Sequence, residues 1–79
     1  LLDYSPKLVP LMILKILRDR PDAVMSIHEL SEQMSHHFFG QKRPERRSMH
    51  DSIRMLYETG HPIGEVKQGQ TRLFYFRKN

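Results

Sequence analysis

The stretch Pro44-Glu45-Arg46-Arg47-Ser48-Met49-His50-Asp51-Ser52-Ile53-Arg54-Met55-Leu56-Tyr57-Glu58-Thr59-Gly60 carries the reading of the fold, together with the run at 63–77 that follows it. With Met49 at the centre of a buried face, Ile53 and Leu56 fall within about 40° of it at about 100° per residue. Arg47, Asp51, Arg54 and Glu58 point the opposite way, with His50 on the flank. The spacing predicts an amphipathic helix with Pro44 in its first turn, running to about Thr59 and closed by Gly60. After His61-Pro62 the period changes. Residues 63–67 and 71–77 read as strands, and Gln68-Gly69-Gln70 between them reads as a hairpin turn. In the second strand Leu73, Tyr75 and Arg77 share one face, while Arg72, Phe74 and Phe76 share the other.

Working upstream, Ser26-Ile27-His28-Glu29 matches a capping box, in which each side chain satisfies the other's free backbone amide. Ile27, Leu30, Met34 and Phe38 then recur on one face, which predicts a second helix ending near Phe39-Gly40. Val24-Met25 before it is long enough for a single bridge of sheet. Val9, Met12, Ile13, Ile16 and Leu17 recur at helical spacing in a first helix that starts near Lys7 or Leu8, with Ser5 placed to cap it and Pro10 in its first turn. Arg18-Asp19-Arg20-Pro21 ends it. The expected fold class is α+β, a winged helix-turn-helix of three helices followed by a two-stranded β-hairpin wing. One domain spans residues 1–79.

Length and charge narrow the function classes. A chain of 79 residues has little room for a cleft enclosing a reaction. It has no cysteine, so disulfides and thiolate metal sites are excluded, and this suits a reducing cytoplasm. No apolar run approaches the roughly 20 residues of a membrane span. The chain opens on Leu1 without a charged leader, as an excised fragment would. Residues 1–39 hold four Lys/Arg against five Asp/Glu, and residues 40–79 hold nine against four. One half is a neutral scaffold and the other a basic surface. Lys and Arg that displace counterions from phosphates point to a polyanion partner.

In a helix-turn-helix, the second helix of the motif lies in the major groove and its first residues reach base edges. Arg46, Arg47, Ser48, His50, Asp51 and Arg54 hold those positions. Arg47 and Arg54 suit bidentate contact to guanine, Ser48 a phosphate or a base, and Asp51 a cytosine amine or a neighbouring arginine. Lys42 and Arg43 precede the helix and are placed for phosphates, and the wing supplies Lys67, Gln68, Gln70 and Arg72. The expected function is sequence-specific binding of double-stranded DNA, with the third helix in the major groove and the wing on the backbone or minor groove. The alternative is a winged-helix protein–protein module using the same surface, for which Tyr57 and Phe74 would supply an apolar patch. RNA binding would instead use stacking on Phe74 and Phe76. The five histidines lack the spacing of a metal site, with His36 and His37 adjacent on a helix and His28 a surface residue. No catalytic motif is present, so no enzyme activity and no cofactor are expected.

Residues 45–56 with Gly60-His61-Pro62-Ile63 resemble the recognition helix and following turn of the N-terminal domain of WYL-domain transcription regulators. Leu11-Met12-Ile13-Leu14-Lys15-Ile16-Leu17, Ser26-Ile27-His28-Glu29-Leu30 and Leu73-Phe74-Tyr75-Phe76 look like its first two helices and wing strand. Ser52 stands where that family usually carries an acid, and His50 where it often carries an aromatic. The resemblance implies a bacterial repressor or activator whose C-terminal domain senses an effector, and the longer protein is expected to bind as a homodimer, since paired half-sites multiply affinity.

Overall fold

The computed structural model describes residues 1–77. A 3-10 turn, Pro6–Leu8, leads into α1 (Val9–Asp19), followed by β1 (Met25–Ser26), α2 (Ile27–Ser35), a second 3-10 turn (Phe39–Gln41), α3 (Arg46–Glu58), β2 (Ile63–Gln68) and β3 (Thr71–Phe76). The first helix starts at Val9, one or two residues beyond the expected Lys7 or Leu8, with Pro10 in its first turn, where the missing amide has no intrahelical partner to lose. Ser5 stands just ahead of the 3-10 turn in extended backbone, but its side chain makes no capping hydrogen bond.

β1, β3 and β2 form one antiparallel sheet in that order, where a two-stranded hairpin was expected. Met25 pairs with Phe74 and Ser26 with Leu73, so the upstream bridge falls one residue later than Val24-Met25. Two residues are too few to show the alternation that announces a strand. Only the approach of β3, which carries its own row of free backbone groups, reveals the pairing. On the other edge β2 pairs with β3 from Ile63 opposite Phe76 to Gln68 opposite Thr71. Gly69 turns the hairpin at φ +61°, which a side chain would resist. Tyr75 lies across Gly64 on the outer face, in the space a Cβ there would need.

The helices stack on the inner face of this sheet. Val9, Ile13 and Leu17 of α1, Leu30 and Met34 of α2, and Met49, Ile53 and Leu56 of α3 are buried with Phe74 and Ile63 in one cluster. Phe76 and Ile27 pack at its margin.

α2 is shorter than its apolar spacing predicts. It stops at Ser35, whose hydroxyl donates to the Glu32 carbonyl at 2.6 Å. That local bond competes with continued helix. The amides of His36, His37 and Phe38 then reach back only three residues, to Gln33, Met34 and Ser35. Phe38 is buried as expected, but from extended backbone, beside Leu2. The Leu2 amide donates to the His37 carbonyl and the Phe39 amide to the Leu2 carbonyl, tying the first residues of the chain to this connection. The Tyr4 ring meets Phe38 edge-on at 5.3 Å. α3 starts at Arg46, so Pro44 is buried ahead of the helix and outside its first turn, and Glu45 precedes it in extended backbone without capping it.

The capping box at Ser26 is formed in both directions, with the Glu29 amide 3.1 Å from Ser26 Oγ and the Ser26 amide 3.0 Å from Glu29 Oε1. Ser26→Ala is expected to lower unfolding free energy by about 1 kcal/mol. Phe74→Ala, at a side chain only 1 % exposed, should lower it by about 3–5 kcal/mol. Urea unfolding followed by circular dichroism checks both, and equal losses would show that Phe74 does not anchor the core.

Candidate nucleic-acid interface

α3 is amphipathic because its apolar residues recur on one stripe, and Met49, Ser52, Ile53 and Leu56 are buried there. Ser52 therefore faces inward, where an acid would be stripped of water. Arg47, Asp51 and Arg54 are exposed on the opposite side, and Ser48 and His50 are half-buried on the two flanks. Arg46 bends along the helix, its Nε 3.5 Å from His50 Nε2.

Arg46 and His50 thereby face an open groove of about 470 Å³ between the first turns of α2 and α3 and the start of β3. Its polar rim is formed by His28, Arg43, Arg46, His50, Gln70 and Arg72, over a floor that includes Ile27, Pro44 and Met49. Arg43 is fixed against α2: Nε donates to Ser31 Oγ at 3.3 Å, and one terminal nitrogen lies 3.4 Å from the His28 carbonyl and 3.5 Å from His28 Nδ1.

The sequence-derived residues thus divide. Arg43, Arg46, His50, Gln70 and Arg72 meet at the groove, whereas Arg47, Ser48, Asp51 and Arg54 lie along the rest of α3. Lys67 and Gln68 are exposed near the tip of the wing, off the groove. Lys42 turns away, with Nζ 5.9 Å from the centre of the Tyr4 ring. His28 and Ser31 were missed as members of this surface. His28 is in the first turn of α2 as its sequence position implied, but nothing in the spacing of positions 28, 43 and 72 signals that they converge.

Arg72 is not a free wing cation. Its guanidinium grips Glu65 with two bonds, Nε to Oε2 at 3.0 Å and a terminal nitrogen to Oε1 at 2.7 Å. Residues 65 and 72 are diagonal neighbours on one face of the hairpin, and the guanidinium also lies 5.6 Å from the Phe74 ring centre. The Arg72 hydrogen bond holds the Glu65 carboxyl below its ordinary value, and the same bond raises Arg72. Tyr57 of α3 reaches Glu65 Oε1 at 3.5 Å. Partial burial, then the Glu65 charge, pushes its phenol above the ordinary value.

Of the two residues that suggested an apolar docking patch, one is withdrawn into the core and the other remains exposed on α3. Phe74 is buried in the core, whereas the Tyr57 ring stays exposed with its hydroxyl 3.5 Å from Glu65 Oε1. Phe76 packs against the core as well, so neither aromatic forms a stacking platform. Among the described residues no group of three or more His, Asp or Glu side chains is arranged to hold a metal ion, and no helix is long and apolar enough to cross a membrane.

No family model matches the sequence, and no curated protein matches it. A solved structure does match over most of the chain. It belongs to HOP2 and is described as giving structural insights into the DNA recognition and protein interaction domains and the homologous DNA pairing properties of that protein. The match has a TM-score of 0.67 at 16% identity and covers 87% of this chain and 98% of that one. The fold is a winged helix. Its wing is the β2–β3 hairpin, and β1 is the third strand that ties the wing to the helices.

The Glu65–Arg72 pair gives a signed expectation. A carboxyl whose folded value is depressed stabilises the fold above its unfolded value, and this is lost as pH falls through the folded value. The Glu65 carboxyl should titrate below the ordinary 4.5, and Arg72→Gln should return it toward that value. Carboxyl carbon NMR shifts followed from pH 7 to 2 measure this. An unchanged midpoint in the variant would mean that the pair is not formed in solution.

Proposed function

We propose that this winged helix binds double-stranded DNA as the sequence-reading domain of a transcription regulator. The observation that carries the proposal is the convergence of Arg43, Arg46 and Arg72 on one groove beside the exposed face of α3, on which Arg47 and Arg54 stand clear of the core. A duplex approached by this face would receive α3 in its major groove, which is wide enough for a helix and displays a distinct pattern for each base pair. Arg47 and Arg54 then donate to guanine O6 and N7. Asp51, between them, accepts from a cytosine amine, and Ser48 and His50 serve the flanks. Lys67, Gln68 and Gln70 follow the backbone from the wing, where contacts fix register without reading sequence. The DNA recognition ascribed to the HOP2 domains supports a nucleic-acid partner for this fold.

The regulatory role rests on the likeness of residues 45–63 to WYL-domain regulators. Such a reader would be cytoplasmic and non-enzymatic, in keeping with a sequence without cysteine or catalytic motif, and would work as a homodimer, since paired half-sites multiply affinity. An effector would act through a further domain.

Fluorescence anisotropy with a short duplex, titrated with salt, tests the core of this proposal. Affinity should fall steeply with salt, as release of counterions requires. Arg47→Ala with Arg54→Ala should weaken binding to a selected site by about 1–3 kcal/mol per arginine. Glu65→Gln frees Arg72 for a phosphate and should tighten binding while steepening the salt slope by up to about one. Absence of binding at low salt and high protein concentration would sink the duplex reading.

A further inference from the structure

The groove brings together two histidines, of which only His50 has a part in the duplex reading above. His28 and His50 both line it, one from the first turn of α2 and the other from α3. Each has a ring nitrogen facing an arginine, Nδ1 of His28 toward Arg43 and Nε2 of His50 toward Arg46, both at 3.5 Å. An arginine only donates, so a ring nitrogen that accepts from it must be unprotonated. Protonation of either ring would put an imidazolium against a guanidinium. An anion between them reverses the balance, because it attracts both cations and each ring N–H becomes a donor to it.

We infer that this groove is a proton-linked phosphate clamp: it seats a backbone phosphate of the bound duplex, and His28 and His50 take up protons as it does so. The inference rests on the duplex-binding function proposed above. The floor of Ile27, Pro44 and Met49 keeps one side of the groove apolar, which strengthens charge interactions at the rim.

The charged groups around each ring set the sign. His28 faces Arg43 from the loop before α3, Arg72 across the groove, and Glu32 on its own helix, with Nε2 3.9 Å from Oε2. Glu29 is occupied by the capping box. His50 faces Arg46 on its own helix and Arg72 from β3, with Gln70 as a neutral neighbour, while its sequence neighbour Asp51 lies on the outer side of α3. Arg46 is the cation in contact with His50, while Arg72 is paired with Glu65. Imidazole changes charge between about pH 5 and 8, so affinity rises as pH falls through that window.

The experiment is anisotropy binding to a short duplex at constant ionic strength from pH 8 to 5.5, comparing the parent, His28→Gln/His50→Gln and His36→Gln/His37→Gln. Glutamine keeps a hydrogen-bonding group at the rim but does not titrate. Parent affinity should rise at least about threefold per pH unit, within the limit of one decade per proton taken up. The His28/His50 variant should flatten this dependence. The His36/His37 variant, altered away from the groove, should keep it and so separates the clamp from a general gain of positive charge. A parent with no pH dependence, or a His28/His50 variant that retains it, would overturn the clamp and leave duplex binding standing. Duplex binding absent at every pH would overturn both.

Discussion

Phe74 occupies the point where the sheet and the helical layer meet, and the position of β3 follows from it. Its backbone pairs with Met25 on one side and lies opposite Glu65 on the other, while its ring is buried with Ile13, Leu17 and Ile53. A central strand cannot slip by one residue without turning Phe74 and Phe76 to solvent and bringing Arg72 and Leu73 onto the wrong faces. The register that buries Phe74 is also the register that sets Arg72 diagonal to Glu65 and brings Gln70 and Thr71 over the first turns of α2 and α3. Core packing and the shape of the basic groove are thus consequences of one strand alignment.

The electrostatics follow from the same placement. Nine of the chain's thirteen Lys and Arg residues lie after position 39, but proximity in sequence does not put them on one surface. Lys42 and Arg43 are adjacent, yet one sits over Tyr4 and the other is fixed along α2 into the groove. Glu65 removes much of the free charge from Arg72 and, through Tyr57, joins the wing to α3. These pairs are exposed, so their value lies in orienting the wing rather than in stabilising the fold.

The resemblance that pointed to one regulator family and the structural likeness to HOP2 agree on a winged helix. They agree for a physical reason: three amphipathic helices and a hairpin with one apolar face have few ways to bury those faces together. That economy makes the fold easy to reach from sequences only 16% identical. It also means that partner and specificity reside in the exposed residues of α3, the groove and the wing rather than in the architecture.

The sequence alone determined the helices, the hairpin and most of the core, because periods of 3.6 and 2 are written in local order. Met49, Ile53 and Leu56 announced the buried face of α3, Ser26 and Glu29 the start of α2, and Gly69 the turn of the wing. It misjudged the end of α2, since Phe38 satisfies the helical period yet is buried from extended backbone paired with Leu2. It allowed a bridge of sheet at Val24-Met25 but did not show that the bridge pairs with β3 to complete a three-stranded sheet. The candidate site was legible as a set of basic residues on α3 and the wing. Only the tertiary structure decided that His28, Arg43, Arg46, His50 and Arg72 share a groove, and that Glu65 holds Arg72. Those are contacts between residues distant in the chain, and their distances depend on how β3 docks against the helices, which no local pattern encodes.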